Sequence, residues 1–318
     1  MSRRSPLLVL ALALSLGIPQ VARAQRYVTL ADSLLRRGRV FAAETLYYYA
    51  TRKTPRDPGA RLALGRYLAA RGALKIGATL MEEALYFGAD KKTVATYLAP
   101  VYEKLGNYKA LSTLPASPLP YAQRTRAEWL ADNAPAIDGP DSAAVPLGAG
   151  DSTSLGELAI VIDGDTLRAS IDPRVQGIVL DTSWLHRKAI KRFASTYDND
   201  WRNIAGVALS AHVGPFTLTN APVTFAGSGL ANSVRVGLDL LANMTATIDT
   251  HAATILLRRD GRIPDDAIGE RIPTLAYPGG LWLVRRDGVW PLTGSMARGI
   301  IGSRRWTLNA RRGELVVE

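Results

Sequence analysis

The chain has 318 residues, with 39 Lys and Arg against 28 Asp and Glu, a net charge of +11, and no cysteine. Without cysteine there is no disulfide, no thiol nucleophile and no thiolate metal site, so the fold must rest on its apolar core. The positive charge is spread along the chain and forms no run. It reads as a solvated basic surface, able at most to associate weakly with anionic envelope surfaces, and not as a nucleic-acid patch.

Residues 1–24 read as a secretory signal. Arg3 and Arg4 precede the apolar run Leu7–Ile18, and Ala22-Arg23-Ala24 is a small-x-small cleavage site before Gln25. The run is short for a transmembrane span. Cleavage after Ala24 removes three arginines and leaves 36 basic against 28 acidic residues, a net charge of +8. The expectation is export to the periplasm or the medium.

Residues 25–134 read as helical repeats. Gly38, Gly72 and Gly106 recur every 34 residues. In the first unit Tyr27, Leu30, Ala31 and Leu34 form one apolar stripe and Val40, Ala43, Tyr47 and Ala50 another, with Pro55 closing it. Leu64, Gly65, Leu68, Leu74, Met81 and Ala84 repeat the pattern, as do Leu98, Ala99, Tyr102 and Tyr108. Small residues where helices touch and a Gly between antiparallel helices are what such stacking needs. The pattern resembles tetratricopeptide repeats, which implies a platform for a peptide or protein partner. Tyr47-Tyr48-Tyr49 divides between core and an exposed helix face. One further helix is expected over residues 118–134. Residues 135–154, rich in Pro, Gly, Ser and Asp, read as a linker.

From Leu155 the apolar period becomes that of strands. Leu158–Ile162 and Leu167–Ile171 flank Asp163-Gly164, a hairpin signal. Asp172 ends the second strand, and Ile178–Leu180 is a buried run. Thr182–Phe193 reads as a short helix. Ile204–His212 and Pro215–Phe225 read as a hairpin turning at Gly214, and Thr245–Asp249 with Thr254–Leu257 as another. Residues 306–317 echo 246–257 at an offset of sixty: Thr307 falls on Thr247, Leu308 on Ile248, Leu315 on Ile255. Gly299-Ile300-Ile301-Gly302 reads as a worn copy of Val236-Gly237-Leu238.

A carboxylate at the end of an apolar strand, and an apolar-Gly-Leu-Asp-x-Leu turn (Val236–Leu241) before a terminal hairpin, resemble the retropepsin-like aspartic proteases. The fold expected is therefore a tetratricopeptide-like α-α array followed by an all-β retropepsin- or pepsin-like half. Its first lobe spans residues 155–258. Residues 259–318 are either a truncated second lobe or a generic terminal hairpin. The resemblance implies the Ile204–Phe225 hairpin as flap, Asp172 as catalytic carboxylate and Asp181 as its rival, with peptide-bond hydrolysis and no cofactor or metal. Yet the family's Asp-Thr/Ser-Gly-Ala/Ser stands here as Asp172-Pro173-Arg174-Val175. Pro173 lacks the hydroxyl and the backbone donor. Arg174 adds bulk and a cation that favours an ionised Asp172. Asp181-Thr182-Ser183 lacks the Gly. The expected function is a non-catalytic binding or scaffold protein, gripping a peptide or protein through the repeats and the cleft. The alternatives are an active aspartic endopeptidase with an unusual loop, using Asp172 or Asp181, and a purely structural envelope protein. His186, His212 and His251 lack metal-ligand spacing.

Overall fold

The structure is a computed structural model. It describes residues 24–150, 154–175, 177–194, 204–227, 234–237, 244–259, 269–277, 280–301, 304–309 and 312–318. Seven helices come first: α1 (24–36), α2 (Val40–Lys53), α3 (Pro58–Ala70), α4 (Leu74–Tyr86), α5 (Lys91–Lys104), α6 (Tyr108–Ser112) and α7 (Tyr121–Asp132). Local chemistry sets several starts. The Asp57 carboxylate accepts the Ala60 N–H at 2.7 Å, with Pro58 at the first helical position, and Asp90 accepts the Thr93 N–H at 2.7 Å. The ends follow the glycine spacing. Gly38, Gly72 and Gly106 have φ of 73°, 88° and 66°. The N–H after each donates to the carbonyl five residues earlier, at 2.9 Å in all three. They are equivalent C-caps, ending α1, α3 and α5 with the left-handed residue that glycine supplies most cheaply.

The first eight strands, β1 (Ala136–Asp138), β2 (Ser142–Pro146), β3 (Glu157–Ile162), β4 (Asp165–Ile171), β5 (Ile178–Asp181), β6 (Ile190–Phe193), β7 (Ala205–Val213) and β8 (Phe216–Ala226), precede the short β9 (Val234–Val236). One sheet runs β1-β8-β5-β9-β4-β3-β7-β6 and closes through a β7–β8 pairing into a barrel. Asp163 and Gly164 take φ of 56° and 80°, the conformation a tight hairpin demands. Ile160, Ile162, Ile171, Ile178, Leu180 and Leu218 fill the interior. The expected helix over Thr182–Phe193 is only a 3₁₀ turn, Thr182–His186, followed by β6. Phe193 and Ile190, buried at either end of β6, pair with Ala205 and Ala208 of β7, and that sheet edge overrides the local pattern.

The remaining strands are β10 (Thr245–Asp249), β11 (Thr254–Arg258), β12 (Glu270–Tyr277), β13 (Gly280–Arg285), β14 (Gly288–Pro291), β15 (Arg305–Asn309) and β16 (Glu314–Val317), with helix α8 (Gly294–Ile301) before β15. They form a second sheet in the order β14-β13-β12-β16-β15-β10-β11-β2. The echo is structural. Ile248 pairs with Ile255 in one hairpin, and Leu308 with Leu315 in the other. The two hairpins then pair with each other, antiparallel, and Thr247 lies opposite Thr307. Their buried hydroxyl oxygens are 2.8 Å apart, and an Arg258 guanidinium N–H donates to Thr247 Oγ1 at 2.9 Å. Thr307→Val should cost about 1 kcal/mol, one buried hydrogen bond, in urea unfolding. No loss would mean that the pairing adds nothing. Gly299–Ile301 is no copy of Val236, since it lies in a helix and Val236 in a strand; Leu238–Leu241 and Gly302 fall outside the described residues.

The stretch read as a linker is not one over residues 136–146. β1 pairs with β8 and β2 with β11, so the segment straps both sheets. Small, polar and Pro residues suit edge strands of this kind. The helical array docks on both sheets. Leu275 and Val284 pack with α1–α3, while Phe193, Ala205 and Val207 pack with α5–α7. The buried Arg126 on α7 donates to the Val223 carbonyl at 3.0 Å and pairs with Glu103 at 2.9 Å.

Candidate functional site

Asp172 follows the last residue of β4. Its N–H donates to the Val236 carbonyl at 3.0 Å, and the Gly237 N–H to Gly177 at 2.8 Å. β9 therefore lies between the two strands that flank the Asp172 turn, parallel to β4 and antiparallel to β5. Alternation puts Ile171 in the barrel core and Asp172 on the other side, at the turn that leads on to Pro173. There the Pro173 carbonyl accepts the Leu281 N–H at 3.3 Å. A Cβ on Gly280 would sit 2.9 Å from that carbonyl oxygen, so only glycine lets β13 come this close.

The Asp172 side chain is 3% exposed and is gripped by cations. The Arg174 side chain donates from Nε to Oδ1 and from a terminal nitrogen to Oδ2, both at 2.9 Å, and its backbone N–H adds a third bond at 2.9 Å. Arg235 approaches Oδ2 at 3.7 Å. Burial by itself would raise the pKa. The hydrogen bonds and charge of Arg174, with the charge of Arg235, outweigh it and hold the carboxyl below the usual carboxylate range. The described residues of β13 that approach this turn, Gly280 and Leu281, carry no carboxylate.

Asp181 lies elsewhere in the barrel wall, at the end of β5. Its carboxylate accepts the Ser183 N–H at 2.9 Å and caps the 3₁₀ turn. The hairpin expected as a flap turns at Gly214, far along β8 from Val223, which pairs with Ile178 near the Asp172 turn. Gly214 packs on Val145 instead. The register places the β6–β7 end, where Phe193 pairs with Ala205 and Ala205 with Thr224, at the Asp172 level. Among the described residues no three His, Cys, Asp or Glu side chains gather as a metal site. Sequence reading missed Arg235 and Gly280. A cation between the two apolar residues Val234 and Val236 was the available signal for the first.

Among the described residues, seven helices are followed by a β-rich half whose first sheet closes into a barrel. No protein-family model and no curated protein matches the chain. Among solved structures it is similar to a retropepsin-like aspartic protease from Rickettsia conorii, at 12% identity and a TM-score of 0.26, over 39% of this chain and 92% of that one.

Proposed function

We propose that this is an exported, non-catalytic protein of retropepsin-like fold that binds a peptide or protein and does not cleave it. The observation that carries the reading is the grip of Arg174 on Asp172. Aspartic proteolysis needs two carboxylates sharing a proton, one as base for water and one as acid. A guanidinium bound to both oxygens keeps Asp172 ionised, and the turn that carries it is tied to β13 by the Leu281 N–H on the Pro173 carbonyl. Export rests on the leader pattern of residues 1–24. The helical half is tetratricopeptide-like in this reading, supported by three equivalent caps at a 34-residue spacing. Phe41 and Tyr48 on α2 are exposed and offer an apolar face to a partner, while Tyr47 is core.

The test is peptidase assay of residues 25–318 on a mixed peptide pool, from acid to neutral pH, beside Asp172→Asn. The expected outcome is no turnover above blank in either protein. Pepstatin-sensitive cleavage that disappears in the variant would make the chain an active peptidase and end this proposal.

A further inference from the structure

A cavity of about 50 Å³ lies where α3, α4 and α5 meet the end of β12. Its floor is apolar: Leu74, Met81, Val101 and Ala276. Arg66 and Lys104 line it as cations, Tyr97 and Tyr277 as aromatic rings, and no Asp or Glu takes part in the lining. The Arg66 guanidinium lies 3.8 Å from the centroid of the Tyr97 ring. Stacking of this kind holds a guanidinium in one place and leaves its edge able to donate. Burial raises the Tyr277 hydroxyl pKa, so that hydroxyl remains a donor at neutral pH. Asp32 acts on Tyr277 from outside the wall, and its own carboxylate is engaged by the Tyr47 hydroxyl.

Charge and size together choose the occupant. An apolar floor beside the Arg66 guanidinium suits a molecule with an apolar part and one negative charge. One water needs roughly 10–15 Å³ by this measure of volume, so the space holds a compact tail of roughly four or five carbons and no long acyl chain. We propose that the cavity is a binding site for a small free monocarboxylic acid with a branched apolar tail, its carboxylate on Arg66 and its tail against Leu74, Met81 and Val101. The proposal does not depend on whether Asp172 is catalytic, and it places a small-molecule site at the junction of the helical array and the second sheet.

The probe is 4-methylpentanoate, titrated calorimetrically into residues 25–318. Saturable one-to-one binding is expected. Its primary amide should bind about tenfold more weakly, and so should the acid to Arg66→Gln, the effect of losing one charge-assisted hydrogen bond. Arg66 is a surface side chain, so this variant should keep the wild-type circular dichroism and melting temperature. Ala276→Leu, which fills the cavity, should abolish binding if it folds. Absence of saturable binding, equal binding of acid and amide, or unchanged binding in Arg66→Gln would each overturn the proposal. So would a Leu-terminated peptide that binds through Arg66 when the free acid does not, since the site would then belong to a peptide.

Discussion

Gly38→Ala is expected to destabilise the protein by about 3 kcal/mol, and Gly106→Ala by only about 1 kcal/mol, although the two glycines cap their helices in the same way. Both have positive φ and the same hydrogen bond after them, so the backbone cost of a Cβ is shared. What differs is the surroundings. A Cβ on Gly38 would lie 2.0 Å from the Arg285 carbonyl oxygen and 3.0 Å from that of Gly288. A Cβ on Gly106 would meet nothing within 4 Å. Neither carbonyl can yield cheaply, since Arg285 and Gly288 pair with each other across the β13–β14 turn. The first helical hairpin must therefore lift off the second sheet, and Leu275 and Val284 lose their cover of Tyr67 and its neighbours. Urea unfolding of both variants, followed by tryptophan fluorescence, reads the difference. Equal losses would mean that the array is not seated on the sheet at Gly38.

The second large effect is a pH-dependent one. Asp172→Asn should cost about 2 kcal/mol at pH 7, because a buried, bidentate, charge-assisted pair is lost while Arg174 and Arg235, 47% and 39% exposed, regain part of their hydration. The folded-state pKa of Asp172 lies below its unfolded value, so the unfolded chain binds more protons between the two and stability rises with pH there. The contribution is complete above the ordinary aspartate value of about 3.9 and falls away as pH drops through the lowered one. The gap between wild type and Asp172→Asn should thus be constant from neutral pH to about pH 5 and shrink below about pH 4. Chemical denaturation at several pH values measures it. A gap that widens on acidification would mean that Asp172 is held neutral, as a dyad acid would be, and would contradict the ionised state described above.

Much of the local structure was legible in the residues. Asp163-Gly164 could only be a tight turn between the apolar run Leu158–Ile162 and the alternating run Leu167–Ile171. The glycines at 38, 72 and 106 marked helix ends because each needs a left-handed conformation that other residues resist. The sixty-residue echo marked two equivalent hairpins, though not that they would pair with each other through Thr247 and Thr307. The Pro-rich composition of residues 135–154 misled, because an edge strand needs only a free sheet edge and tolerates small and polar residues. The same cause turned Ile190–Phe193 from a helix into a strand.

The sequence by itself determined the helical first half, the change to strands at Leu155, the turns at Gly38, Gly72, Gly106, Asp163-Gly164 and Gly214, and the break in the Asp-Thr/Ser-Gly pattern at Pro173 and Arg174. These depend on backbone preferences and periodicities that act within a few residues. Only the tertiary structure decided that β10 and β11 join the second sheet and that residues 136–146 strap both sheets. The same holds for Arg235 beside Asp172 and for Gly280 against Pro173. Each depends on pairing between segments tens to more than a hundred residues apart. Their register is set by which apolar faces must be buried together, and no local pattern encodes that.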